Sequence, residues 1–236
     1  MAALTPEEIE ALTLSAKVAV WCMLLSMPPG IACGWLLAKR QFRGKALADA
    51  LIHLPMVLPP VVPGYLLLLL LGEQGPLGHW LSRTFDLHFA FNWKGAVLAS
   101  AVMAFPLMVQ PVRLSMRLID SRLEQAAATL GATPWRVFMT VTLPLALPGV
   151  IVGSILAFSR SLGEFGATMA FVGNIPGETR TLPLAIYSYT HVPGGEAPVL
   201  RLTLLSIALA LAALLASNAL ARYGERRLGY RPHADA

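Results

Sequence analysis

Two groups of residues in this 236-residue chain have types and spacings that could do chemistry. The first is polar and lies at the end of a long apolar stretch: Ser159, Arg160, Ser161 and Glu164. The i, i+4 spacing puts Arg160 and Glu164 on one face of a helix. A guanidinium flanked by hydroxyls can attract an oxyanion. It can equally form a structural ion pair with Glu164 or reach outward to the membrane surface, and the residues alone leave these readings open. The second group occupies the basic connection Arg113–Pro144. There, Asp120 or Ser121 can cap a short helix and Glu124 falls in its first turn, where negative charge is favoured. Leu123, Ala126, Ala127 and Leu130 recur at helical spacing, Gly131 supplies a left-handed stop, and Pro134 follows. Leu143-Pro144 can open the next helix. The result is a helix–Gly–helix corner with a small-residue face. Such a face lets another protein's groove approach the backbone closely, or it belongs to an amphipathic helix lying on the membrane.

Other chemistries are missing their residues. The five histidines (His53, His79, His88, His191 and His233) offer no pair at metal-ligand spacing, so no metal site is expected. Cys22 and Cys33 lie 11 apart in one apolar run, where a helix cannot bridge them and cysteine acts as a small hydrophobe. No nucleophile elbow, zinc-protease motif or calcium loop is present, and no catalytic residue is assigned. Without a phosphate-binding GxxxxGK[ST] loop, any nucleotide hydrolysis must belong to another chain.

These groups have to be positioned by membrane-spanning elements. Of all residues 56% are hydrophobic and 13% charged, against about 25% charged in soluble domains. That excludes a disordered chain and argues against an ordinary water-soluble enzyme. Five runs lack Asp, Glu, Lys and Arg: 18–38, 50–72, 95–112, 137–159 and 202–221, of 18 to 23 residues each. A helix needs about 20 such residues to cross about 30 Å of hydrocarbon, so five spans are expected. The shorter runs 165–177 and 181–195 are rich in Gly and Pro and read as extracytoplasmic or re-entrant structure. Glu7, Glu8 and Glu10 precede the first run, the opposite of a signal peptide's basic start. Lys39, Arg40, Arg43 and Lys45, then Arg113, Arg117, Arg122 and Arg136, then Arg222, Arg226, Arg227 and Arg231 hold 12 of the 18 basic residues. For five spans these three segments share one side, which the preference of Lys and Arg makes the cytoplasm. The N-terminus is then outside. The same placement accounts for the net charge of +5 without nucleic acid.

Within the second run, Pro55, Pro59, Pro60 and Pro63 each remove a backbone donor and disfavour helix just upstream. A span that simply began at Pro63 would have 10 residues before Glu73, too few to cross. A kinked or partly unwound span is therefore expected. Such a break is tolerated at membrane depth where it is buried in protein or lines water, which makes Pro59 and Pro60 pathway candidates. A fourth span starting near Pro148 would carry Arg160 about 18 Å along its axis, past the midplane.

The stretch Gln125-Ala126-Ala127, three residues, Gly131, nine residues, Val141, one residue, Leu143-Pro144 resembles the EAA loop of binding-protein-dependent ABC importers. Every spacing element matches. Gln125 stands where that pattern has Glu, and Val141 where it commonly has Ile. Together with HLPMVLPPVVPGYLLLLLLG (53–72) and SRSLGEFGATMAFVGNIPGETRTLP (159–183), the loop follows the order seen in molybdate permeases, and sulfate/thiosulfate permeases are similar. The resemblance covers nearly the whole chain. It implies an all-α integral membrane subunit with the type I ABC importer permease fold and about five transmembrane helices. Residues 1–12 would be extracytoplasmic, 13–222 the permease domain with its coupling loop at about 117–144, and 223–236 a cytoplasmic tail. It implies ATPase coupling through Glu124, Gln125, Ala126, Ala127, Gly131, Val141, Leu143 and Pro144. It implies a second copy of the chain, cytoplasmic ATPase subunits that hold ATP and magnesium, and a periplasmic molybdate-binding protein. The setting would be the cell inner membrane, with no cofactor in this chain. Tungstate or sulfate import is the nearest alternative. A secondary anion carrier would need inverted repeats and midplane carboxylates, and neither is found.

Overall fold

The computed structural model describes residues 4–227, with side chains described as far as residue 216. Its described residues form helices joined by short connections. Thr5 and Glu8 make a reciprocal capping box that starts α1 (Pro6–Lys39), and α1 continues through Pro28 and Pro29. After it come α2 (Lys45–Val57), α3 (Val61–Leu71) and α4 (Pro76–Phe85). Asn92 caps the long α5 (Trp93–Leu118) by accepting from the Lys94 amide. α6 (Ser121–Thr129) and α7 (Pro134–Val137) form a corner, and a π-turn (Phe138–Thr142) joins α7 to α8 (Leu143–Leu162). α9 (Gly166–Val172), α10 (Leu182–Thr190) and α11 (Glu196–Arg227) complete the chain. Residues 228–236, which include Arg231 and most of the expected 223–236 tail, lie outside the described residues.

Small residues set the core. A Cβ on Gly30 would come within 2.5 Å of Met108 Cγ, and one on Gly34 within 2.7 Å of Val112 Cγ1. α1 and α5 therefore approach backbone to side chain, and their matching levels rise together, so the two helices run parallel. Gly149 meets Pro111 and Ser115, while Gly153 meets Met108, so α8 runs antiparallel to α5. Cys22, Met108, Val112, Met116, Ala146 and Val150 fill the space between the three.

Parallel α1 and α5 force the chain to recross between residues 39 and 93. Neither α2 (13 residues) nor α3 (11 residues) is long enough alone, at about 20 and 16 Å. They are bent by 112° at Leu58–Pro60. Arg113, near the C-terminal end of α5, donates from Nη1 to Asp49 of α2 at 2.6 Å. Leu67, Leu68 and Leu71 of α3 reach the cluster formed at the other end by Ala96, Val97 and Phe171. The expected interruption of the second apolar run is present: the chain is unwound between Val57 and Val61 and turns a sharp corner there. Four helices are long and apolar enough to cross, and the bent α2–α3 pair, counted as one broken span, makes a fifth.

The ends opposite the α6–α7 corner are tied by polar contacts that the sequence did not announce. Arg201 of α11 donates to the buried Glu8 at 2.8 Å, and the Leu182 amide donates to Ser15 at 2.7 Å. The Tyr189 hydroxyl donates to Glu7 at 2.9 Å. Burial, with the Glu7 carboxylate beside it, pushes the Tyr189 hydroxyl above the usual phenol range. These ties put the start of α11 on the same side as the start of α1. Reporter fusions at residue 43 should read as cytoplasmic and fusions at residue 83 as external. A reversed reading at either position would refute the arrangement.

Candidate functional site

The corner after α5 is built by local sequence. Asp120 caps α6 by accepting from the Arg122 amide at 2.9 Å. At the other end the Ala132 amide donates to Ala127 O and the Gly131 amide to Ala128 O, with Gly131 at φ +84°. That pair of bonds is a Schellman motif, which a left-handed residue makes possible. Thr133 then caps α7, with Pro134 in its first turn. A helical turn thus opens at Pro134, ahead of α8, which starts at Leu143 with Pro144 in its first turn as expected. It runs on through the π-turn, in which the Leu143 amide donates to Phe138 O. A π-turn here suits Pro144, which has no amide to give to the preceding turn.

Glu124 holds this corner to the membrane helices. One carboxylate oxygen accepts from Lys39 Nζ at 3.0 Å, at the end of α1, and the other accepts from Thr142 Oγ1 at 2.7 Å, in the π-turn. Thr142 is buried, and Lys39 also donates to Ile119 O. Gln125, Ala126 and Ala128 are exposed on α6, as is Gly131 beyond it, and Ala127 is half-buried. Leu123 and Leu130 are also exposed, the latter at 89%. The carboxylate that matters inside this chain is therefore Glu124. Gln125 points away from the brace, so its amide breaks no internal pair. Val141, Leu143 and Pro144 belong to the π-to-α transition and not to the exposed corner. Sequence reasoning missed Lys39 and Thr142. Lys39 was visible only as the charge ending the first apolar run, and nothing marked Thr142.

The second site is a meeting of two helix breaks. A Cβ on Gly166 would lie 2.7 Å from Pro60 Cβ, and one on Gly64 would collide with Ala167 of α9. The α2/α3 corner is thus seated on the break between α8 and α9. Arg160 lies in the last turn of α8, and its Nη1 is 2.7 Å from Glu164 Oε2. Glu164 is buried and its Oε1 accepts from the Ala167 amide at 2.8 Å, capping α9. Oε2 makes no well-formed hydrogen bond, so its tie to Arg160 is ionic. The four polar residues of this segment divide. Ser161 is buried beside Cys22 with no well-formed hydrogen bond of its own, and Glu164 serves the fold. Ser159 is exposed and Arg160 is partly so, and Pro59 and Pro60 are exposed as well. Among the described residues no cluster of His, Cys, Asp or Glu could hold a metal ion.

Five crossings, one of them broken, and a bracketed corner between the third and fourth define a multi-pass membrane permease of the type I ABC importer fold. The chain belongs to the binding-protein-dependent transport system inner membrane components, whose family model matches residues 30–228. It is 57% identical to the molybdenum transport system permease protein ModB of Escherichia coli K12 over 226 residues, which is 96% of this chain and 99% of that protein. The Haemophilus influenzae ModB is 56% identical, covering 97% and 100%. The sulfate transport system permease protein CysT of Escherichia coli is 39% identical over 67% of this chain and 57% of its own. Among solved structures, a bacterial ABC transporter importing the acidic polysaccharide alginate superposes with a TM-score of 0.73 at 18% identity, covering 93% of this chain and 80% of its own. The inward-facing MetNI methionine transporter superposes at 0.67 and 16%, covering 94% and 99%.

Proposed function

We propose that this chain is the translocation subunit of an ATP-driven molybdate importer in the cell inner membrane. It works as a pair of identical copies. A separate cytoplasmic ATPase, which binds the ATP and magnesium, seats on the α6–Gly131–α7 corner, and a periplasmic molybdate-binding protein delivers the anion. The observation that carries the substrate is the 57% identity, across nearly the full length of both chains, with a permease named for molybdenum transport.

The geometry supports a route for the work of hydrolysis. Exposed Leu123 and Leu130 flank a small-residue face that a groove can accept at short range. A push on α6 passes through Glu124 to α1 at Lys39 and to α8 through the π-turn at Thr142. α1, α5 and α8 are closely packed and move as a body, because packed interiors do not deform continuously. The abutting breaks at Pro60 and Gly166 are where such a movement can open a passage, and Arg160 presents a positive charge beside them. Prolines at 59, 60 and 63 leave the start of α3 poor in amide donors, and the Val62 amide is already bonded to Pro59 O. The anion's electrostatic partner at the junction is therefore Arg160, with Ser159 as a hydroxyl donor.

Transport by the reconstituted complex tests this. Uptake of labelled molybdate should require ATP and should be inhibited equally by molybdate and tungstate, which share charge and nearly share size. Sulfate should compete at least about tenfold less well, a gap of about 1.4 kcal/mol. Uptake without ATP would overturn the importer class, and sulfate competing as well as molybdate would overturn the substrate.

A further inference from the structure

We propose that the groove between α1 and the π-turn is a binding site for one anionic glycerophospholipid of the cytoplasmic leaflet. The groove has a volume of about 520 Å³ and is walled by Pro28, Ile31 and Trp35 on one side and Trp135, Phe138 and Met139 on the other. That volume is within the range of about 300–1,000 Å³ typical of ligand sites. Trp35 and Phe138 meet edge to face at 6.0 Å between centroids, and Trp135 stacks on Phe138 at 5.8 Å. Trp135 is 68% exposed. The rings therefore form an apolar slot with one indole left open to its surroundings.

Depth and charge together identify the occupant. Pro28 lies 11 residues before Lys39, about 16 Å along α1 from its cytoplasmic end. The apolar part of the slot is thus at the depth of acyl chains in the inner leaflet. Its mouth is at headgroup level, where tryptophan is favoured. At that mouth Arg40 lies over the Trp35 ring, its guanidinium carbon 5.5 Å from the centroid, and Lys45 Nζ donates to Arg40 O at 2.9 Å. Among the described residues neither cation pairs with a carboxylate, whereas neighbouring Lys39 is held by Glu124. An apolar slot with two unpaired cations at its mouth matches a lipid whose phosphate headgroup carries net negative charge better than one whose headgroup charge is balanced. A two-fold contact between copies centred here would set these cations against themselves. An ATPase is confined to the water side of Arg40. A lipid in the slot rests on the π-turn that carries Thr142, directly behind the coupling corner.

The full-length chain, reconstituted in phosphatidylcholine vesicles with a minor fraction of brominated lipid, provides the test. Brominated phosphatidylglycerol should quench tryptophan emission at least about threefold more effectively, mole for mole, than brominated phosphatidylcholine. The combined variant Arg40→Gln with Lys45→Gln should abolish that preference, and Arg40→Lys with Lys45→Arg should keep it. Trp135→Phe should remove most of the preferential signal. Thermal melting of each variant in detergent shows that it is folded, and lipid carried through purification, counted by native mass spectrometry, should fall with the Gln pair. Equal quenching by the two lipids, or a preference unchanged in the Gln pair, overturns the site. So does a disulfide between two copies through Met139→Cys, since that would place protein over the slot. None of these readouts requires transport, so they stand or fall apart from the importer reading.

Discussion

Glu124→Ala should abolish coupled uptake while leaving the subunit inserted in the membrane. The substitution removes the charge that holds Lys39 and the acceptor that satisfies Thr142. The exposed half of this brace is weak, because an ion pair with partly exposed partners is worth about 1 kcal/mol or less. The buried half dominates. Thr142 is 2% exposed, and leaving a buried hydroxyl without a partner costs about 1–3 kcal/mol. A cost of that size raises the population of a released corner by about fivefold to 150-fold. Glu124→Gln should behave better, since its amide oxygen can still accept from Thr142. Gly131 tests the same corner by a different force. Its φ of +84° excludes proline, whose ring fixes φ near −65°, and Gly131→Pro also deletes the amide bonded to Ala128 O. No atom lies within 4 Å of a Cβ placed there, so the constraint is conformational and not steric. Gly131→Asn, which tolerates the left-handed region, should retain most uptake. The check is molybdate uptake with ATPase co-purification for Glu124→Ala, Glu124→Gln, Gly131→Pro and Gly131→Asn. Normal uptake in Gly131→Pro would remove the corner from the coupling route.

The second large effect is expected at Arg160. Arg160→Ala leaves Glu164 buried, with the Ala167 amide as its hydrogen-bond donor and no cation beside it. Removing one partner of a fully buried pair costs about 3–5 kcal/mol. With Arg160 partly exposed the cost is smaller but still leaves a buried carboxylate without its cation, so the single variant should melt earlier and assemble less well. The remedy must respect the second duty of Glu164. Glu164→Ala would also uncap α9, at about 1 kcal/mol. Glu164→Gln keeps an acceptor for the Ala167 amide and removes the charge. The double variant Arg160→Ala with Glu164→Gln should therefore regain thermal stability. Its molybdate uptake should remain at least about tenfold low, because the positive charge at the junction is gone. Detergent melting and uptake, measured on the two single variants and the double, separate the roles. A stable double variant with full uptake would reduce the pair to scaffolding and refute the pathway role.

Much of this was legible in the residues because the bilayer imposes its own period. Charge-free runs of about 20 residues mark the four long apolar helices and the broken α2–α3 pair, and the one-sided distribution of Lys and Arg gives the orientation that the reporter fusions test. The corner was equally legible, since Asp120, Gly131 and Pro134 act through bonds to their own neighbours. The four polar residues at 159–164 were readable as an anomaly but not as roles. Their separation into exposed Ser159 and Arg160, buried Ser161 and capping Glu164 depends on which way α8 faces once α1 and α9 are packed against it. The same holds for Glu124 and Gln125. They are one helical step apart, and only the position of Lys39, 85 residues earlier, and Thr142, 18 later, decides which of them braces the fold.

Local chemistry and membrane solvation thus determined the apolar spans, the proline break and the capped corner, because each arises from neighbouring residues or from transfer into hydrocarbon. The tertiary structure alone decided three further things. The break became a 112° corner, because parallel α1 and α5 require a return crossing that must also seat on Gly166. The α6–Gly131–α7 corner became braced, because Lys39 and Thr142 arrive from other elements. Arg160 was left accessible while its partner was buried, because burial belongs to the packed assembly of helices and not to any one of them.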